Sequence, residues 1–228
     1  MAYKKDSFRG VKGVEKGMEG SCLLPYKLQV VHAIHEQIRS GLISMDRSEG
    51  RSMRVFIALD VPDQLRRELC ACTERLSDHL LGRFVPCESY HLTLAFMGEL
   101  DEGQVDDAVA ALNDLSAQSA PAILAPSQLG TFGKPIDSVL WMGVEPRTEL
   151  LVLAERLRSA LAGRGLPFDP HEFVPHITLA RHARVLCDAL PHLEPPQPVV
   201  ATTVGLYAST LGASGPTYTL VHRCALDG

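Results

Sequence analysis

The chain has 228 residues, 46% of them hydrophobic and 21% charged, enough to bury a full core in one large domain or two fused lobes. A net charge of −5 excludes a protein whose main task is neutralising a long nucleic-acid backbone, which needs a broad basic surface, but leaves a short or terminal RNA as a substrate. No apolar run reaches the roughly 18–20 residues of a membrane span and no cleavable leader is legible, so a cytoplasmic protein is expected.

Residues 1–52 carry nine Lys/Arg and six Asp/Glu, a balance of +3 that leaves −8 on residues 53–228. Leu28, Val31, Ile34, His35 and Ile38 form one possible amphipathic stripe, and the Gly- and Lys-rich stretch before Cys22 has the composition of a poorly ordered segment. This is expected to be an N-terminal extension unrelated to catalysis, with the folded domain beginning at Met53.

Arg54–Leu59 reads as a strand covered on both faces, ending at Asp60-Val61-Pro62. A helix follows, with Pro62 in its first turn, Leu65, Leu69, Cys72, Leu76 and Leu80 on its buried stripe, and Gly82 as its left-handed closing residue. Short and long strands are predicted around Phe84–Val85 and over His91–Met97. A second helix then carries Val105, Val109, Leu112 and Leu115.

Residues 119–136, rich in Ala, Pro and Gly, separate this block from a second one of very similar plan. Val139–Val144 is a strand, and Leu150, Leu153, Leu157 and Leu161 stripe a helix closed near Gly163 or Gly165. The tail, Val199–Leu211 and Thr217–Leu226, is a hairpin. The six scattered cysteines are read as reduced core thiols.

His91-Leu92-Thr93-Leu94-Ala95 recurs as His176-Ile177-Thr178-Leu179-Ala180. Each copy follows a strand-ending proline, His91 by 29 residues from Pro62 and His176 by 30 from Pro146, which marks an internal duplication. The period of two puts each histidine and threonine on one strand face and the aliphatics on the other. One such copy is weak evidence, since Thr is simply a good strand former. Two copies across a groove supply two imidazoles and two hydroxyls to one ligand. Opening a cyclic phosphate needs a base for water and an acid for the departing oxygen, which histidine serves near neutral pH. Hydroxyls can hold the non-bridging oxygens.

These residues resemble the RNA 2′,3′-cyclic phosphodiesterases, also called 2′-5′ RNA ligases, of the two-histidine (2H) phosphoesterase superfamily. The resemblance spans residues 53–228 and rests on Met53–Asp60, His91–Gly98, His176–Arg181 and Gly215–Tyr218. It implies an α+β fold, two similar pseudo-symmetric lobes with antiparallel or mixed sheets flanking a central cleft. It further implies that His91 protonates the leaving 3′ oxygen, His176 activates water, Thr93 and Thr178 bind phosphate and Arg181 contacts phosphate or nucleotide. The product is then a 2′-phosphate. The substrate partner is RNA or a nucleotide ending in a 2′,3′-cyclic phosphate; no cofactor, metal or membrane is expected, and the protein is expected to be a monomer. Ligation in the reverse sense, and a nucleotide- or RNA-binding module without turnover, are the competing readings.

Ideal alternation puts Arg181 on the face opposite His176, so its role requires the strand to twist or end near Ala180. Phe132, Trp141 and Phe173 are read as core in preference to base-stacking residues, and Lys134 and Arg83 as solvated charges. His171 and His182 flank the second motif, but no carboxylate or cysteine at convincing spacing completes a metal site.

Overall fold

The computed structural model describes residues 52–185, 190–191, 193–212 and 215–228. The expected N-terminal extension lies outside the described residues, apart from Ser52. In chain order the elements are β1 (Ser52–Asp60), α1 (Asp63–Ser77), β2 (Leu81–Phe84), a 3-10 turn (Cys87–Ser89), β3 (His91–Asp101), α2 (Glu102–Ser116), β4 (Ala122–Leu124), β5 (Pro126–Lys134), β6 (Asp137–Val144), α3 (Thr148–Gly163), β7 (His176–Arg184), β8 (Val199–Ala201), β9 (Thr203–Gly212) and β10 (Gly215–Ala225).

Two four-stranded sheets run in the orders β10-β9-β1-β3 and β2-β7-β6-β5, and β4 pairs with β8 in a third, two-stranded sheet. All the pairings are antiparallel. The expected α+β class is therefore observed, and the repeat is visible as β1-α1-β3 and β6-α3-β7. In each unit the apolar strand ends at a proline, a helix returns across the sheet, and the motif strand pairs beside the first. The cores are mainly aliphatic: Ile57, Leu59, Leu65, Leu69 and Leu76 are fully buried in one half and Leu140, Leu157, Ile177 and Leu179 in the other. Each such side chain contributes about 1.5–3 kcal/mol of hydrophobic stabilisation.

Helix ends follow local chemistry. Asp101 accepts the Gln104 backbone N–H at 2.9 Å while the Gln104 side chain takes the Asp101 N–H at 3.0 Å, a capping box that starts α2 where β3 ends. Helix α3 stops through Gly165 N–H to Ala162 and Leu166 N–H to Leu161, with Gly165 at φ 67°.

Three expectations are corrected. Gly82 does not close α1, which stops at Ser77 with Leu80 N–H returning to Leu76; Gly82 lies instead in β2, where a Cβ would stand 3.0 Å from the Ala183 backbone. Residues 119–136 do not merely separate the two blocks but contain β4 and β5. Pro126 occupies the first position of an edge strand, where a missing N–H is tolerated, and Gly130 lies under the Trp141 ring, so the residues read as loop punctuation suit an edge. Cys70 and Cys87 are not free thiols but a disulfide, Cα atoms 5.8 Å apart, because the turn before β3 folds back onto α1, where Thr73 and Tyr90 also share a 3.0 Å hydrogen bond. Cys72 is buried and free, as read from the sequence.

A Cβ at Gly130 would overlap the Trp141 ring, so Gly130→Ala is expected to cost about 1–3 kcal/mol through overpacking. Thermal unfolding should show Tm falling by several degrees; an unchanged Tm would mean that β5 does not pack on Trp141.

Candidate active site

His91 and His176 are the first residues of β3 and β7. Each ring is held in the same way. His91 Nδ1 lies 2.7 Å from the Ser89 carbonyl and His176 Nδ1 lies 2.7 Å from the Val174 carbonyl, in both cases the residue two positions earlier. A carbonyl can only accept, so Nδ1 carries the proton in both neutral rings and each Nε2 is left with its lone pair. Thr93 and Thr178 stand two residues on, half-buried, and neither hydroxyl has a hydrogen-bonding partner among the described residues.

The placement of Arg181 resolves the alternation problem. Along β7, Thr178 faces Trp141 and Ala180 faces Leu140, so Leu179 is an extra residue on that strand. Leu179 and Ala180 are consequently both buried, and the side chain that follows them changes face. Arg181 thereby joins the face of His176 and Thr178. The first motif carries the same bulge: Thr93 pairs with Ala58 and Ala95 with Ile57, leaving Leu94 as the extra residue. The side chain delivered there is Phe96, whose ring packs under the Arg54 guanidinium at 4.8 Å.

The two imidazoles sit within aromatic walls. Phe56 lies 4.7 Å from the His91 ring, and Tyr218 meets it edge-on at 5.0 Å. Around His176, Phe132 meets the ring edge-on at 5.0 Å and Trp141 lies at 6.1 Å. Thr93, Phe96, Phe132, Phe173 and His176 line one cavity of about 540 Å³. Phe132 and Phe173 are therefore cavity walls rather than the core residues read from sequence. Trp141 is half-buried, and its indole N–H is buried without a partner among the described residues.

Opposite His91 in the β1–β3 register stands Asp60. Its carboxylate accepts from Thr203 Oγ1 at 2.8 Å, from the Tyr207 hydroxyl, and from Arg223 Nε at 2.8 Å. Burial and the Asp60 carboxylate push the Tyr207 phenol up to about 12, so it stays a donor. Sequence reading missed Asp60 and Tyr207 as a pair because they lie 147 residues apart. Phe56, Phe96 and Tyr218 lay inside the motif segments already singled out, and their aromatic character was the available signal.

Both imidazoles are held neutral at pH 7. Burial lowers His91 to about 4, against the pull of the Ser89 carbonyl, and the positive charges of Arg181 and of a protonated His176 lower it further; the Asp60 carboxylate works in the opposite direction. Burial also lowers His176 and Arg181 adds to it, opposed by the Val174 carbonyl. Arg181 thus acts on both rings, and its own Nε is buried without a partner among the described residues.

The other histidine candidates have partners of their own. His171 hydrogen-bonds Asp169 at the rim of the large cavity, and His182, at φ 51°, bonds Asp137 at 2.8 Å on the exposed end of β7. Lys134 is exposed at the end of β5. Among the described residues no group of three His, Cys, Asp or Glu side chains is arranged to hold a metal, and no helix is long and apolar enough to cross a membrane.

This arrangement has counterparts. Over 183 residues the chain is 32% identical to an RNA 2′,3′-cyclic phosphodiesterase of Thermotoga maritima, an alignment covering 77% of this chain and 97% of that protein. It is 31% identical over 180 residues to an RNA 2′,3′-cyclic phosphodiesterase of Escherichia coli, covering 76% and 96%. The structure of E. coli LigT complexed with 3′-AMP superposes with a TM-score of 0.63 at 29% identity, covering 78% of this chain and all of that one. The model of the 2′-5′ RNA ligase superfamily matches residues 61–209, a stretch that contains both His-x-Thr motifs, and the chain belongs to that superfamily.

Proposed function

We propose that this protein hydrolyses 2′,3′-cyclic phosphates on RNA or nucleotides to 2′-phosphates by a metal-independent, two-histidine acid–base mechanism. The observation that carries the reading is the matched pair of imidazoles, each fixed through Nδ1 to a backbone carbonyl, with Arg181 acting on both. The relatives named as RNA 2′,3′-cyclic phosphodiesterases and the 3′-AMP complex of E. coli LigT support it.

In this reading the cyclic phosphate lies between the rings. His176 Nε2 takes a proton from water as the water oxygen bonds to phosphorus. The bond from phosphorus to the 3′ oxygen breaks, and His91 Nε2, protonated, gives its proton to that oxygen. The products are a 2′-phosphate and a 3′-hydroxyl, and a proton passed through solvent from His176 to His91 restores the starting state. The assignment of acid and base follows the family resemblance. Thr93, Thr178 and Arg181 donate to the non-bridging oxygens, whose charge grows in the transition state. The cavity walled by Phe96, Phe132 and Phe173 suits a nucleobase, whose faces stack on aromatic rings. The metal-free role rests on the chemistry of the donor set, two acid–base groups and an arginine.

Turnover of a 2′,3′-cyclic nucleotide should persist in excess chelator, and His91→Ala or His176→Ala should each lower kcat about 10²–10⁴-fold. Full activity in either variant would eliminate the mechanism.

The pH profile carries a second expectation. The base is lost as pH falls through its pKa and the acid as pH rises through its own; with both imidazoles lowered below 6.5, the bell of kcat/KM, which reports the free enzyme, should lie on the acid side of that value. Because Arg181 lowers both groups, Arg181→Gln should shift the bell to higher pH while reducing its height. A bell that keeps its position in this variant would show that the guanidinium does not face the rings.

A further inference from the structure

A separate cavity has a volume of about 250 Å³. It is lined by Arg83, Arg181, Ser89, Pro216, Thr217 and Tyr218. Two of these residues also hold His91: Ser89 through its carbonyl and Tyr218 through its ring.

Arg83 and Arg181 are direct cross-strand partners in the β2–β7 pairing. Like charges facing one another across antiparallel strands are destabilising, and an anion bound between them would offset that repulsion. Among the described residues neither arginine forms an ion pair, and Arg181 Nε is buried with no acceptor. A buried donor left without a partner is destabilising until an acceptor reaches it. The backbone is also shaped around Arg83. A Cβ at Gly215 would stand 3.2 Å from the Arg83 Cζ, so β10 closes onto the guanidinium at a residue that has no side chain to push it away.

One arginine, Arg181, already serves the scissile phosphate in the proposed reaction. We propose that the Arg83 corner binds a second phosphate, the phosphodiester that joins the terminal nucleoside to the rest of an RNA chain, which makes Arg83 a residue that selects a chain end over a free cyclic mononucleotide. The inference rests on the hydrolase reading above and adds a specificity-determining residue to its site. The guanidinium fork suits a phosphodiester, which offers two non-bridging oxygens to parallel N–H donors. In a chain of net charge −5 this pair of adjacent arginines, bordered by the Ser89 and Tyr218 that contact His91, is a local positive site that needs no broad basic face. The chain then runs from the aromatic cavity on the His176 side, past the histidines, to the arginine corner.

Three substrates test the proposal on the full-length protein: a 2′,3′-cyclic mononucleotide, a dinucleotide with the same cyclic end and a normal bridging phosphodiester, and the same dinucleotide with an uncharged methylphosphonate bridge. The unmodified protein should favour the charged bridge over the neutral one by about tenfold in kcat/KM, as expected for one charge-assisted contact. Arg83→Ala should abolish that ratio and flatten the dependence of log kcat/KM on log salt for the charged dinucleotide by about 0.7. Equal rates on the two bridged substrates with the unmodified protein would overturn the proposal, as would an Arg83→Ala variant that loses the same factor on all three. Failure of the unmodified protein to open any of the three would instead overturn the hydrolase reading itself.

Discussion

A pleated strand sends successive side chains to opposite faces, so a histidine and the threonine two residues on share a face, and a residue five positions on does not. In β3 and β7 one extra residue, Leu94 and Leu179, breaks that rule at the same place. Both aliphatic and alanine positions turn into the core, and the fifth residue comes over to the histidine side. The insertion costs a ladder position and keeps the hydrophobic face intact, because Leu94, Ala95, Leu179 and Ala180 are all at most 2% exposed. Without it, Arg181 would point away from the groove and the imidazoles would stand alone. The motif His-x-Thr-Leu-Ala thus encodes more than its two polar residues: its Leu-Ala pair is the bulge.

The protonation state of the groove follows from how the histidines are seated. Each ring is pinned by a carbonyl and walled by aromatics, which fixes the tautomer and removes water from one side. The lowering of His91 from 6.5 to about 4 makes its protonation in the empty groove cost on the order of 3 kcal/mol more than in water. An anionic phosphate returns that energy by favouring the imidazolium, so in the proposed mechanism the acid forms when substrate is present. Arg181 enters with two opposing effects: it suppresses charge on the empty rings and, once phosphate is bound, neutralises the anion. Asp60, anchored by Thr203, Tyr207 and Arg223, places a fixed negative charge on the His91 side alone, which makes the two rings electrostatically unequal despite their matching hydrogen bonds.

The paired motif and the strand-helix units before it were legible because they depend on local periodicity. Leu65, Leu69 and Leu76 mark α1, and Val139–Val144 marks β6, as their burial confirms. What escaped was decided by long-range packing. Residues 119–136 show no strand pattern because Pro126 and Gly130 are turn residues, yet at an edge strand under Trp141 they meet no objection from the ladder. Ideal alternation alone sets Arg181 opposite His176, and the departure near Ala180 that its role requires comes from how β6 registers against β7. Phe132 and Phe173 resemble core residues in composition; Phe132 reaches the cavity from edge strand β5, and Phe173 from the loop that is tied to β3 through Asp169 N–H to the Phe96 carbonyl at 2.8 Å. The Cys70–Cys87 pairing likewise needs the turn to fold back on α1.

Duplication by itself yields a symmetric groove, whereas a cyclic-ended nucleotide has a base at one end and a phosphate chain at the other. The residue that follows the bulge breaks the symmetry: it is Phe96 in the first copy and Arg181 in the second. Strand β2 breaks it again, since it belongs by sequence to the first half and pairs with β7 of the second, carrying Arg83 to the side of Arg181. The same crossover ties the two sheets together through Val85 N–H to the Leu179 carbonyl at 2.8 Å, at the bulge itself. The hydrogen bonds that join the halves therefore also sort the groove into an aromatic end and a cationic end. On the proposed reading this sorting fixes the direction in which an RNA terminus lies, and so which ring oxygen of the cyclic phosphate faces His91.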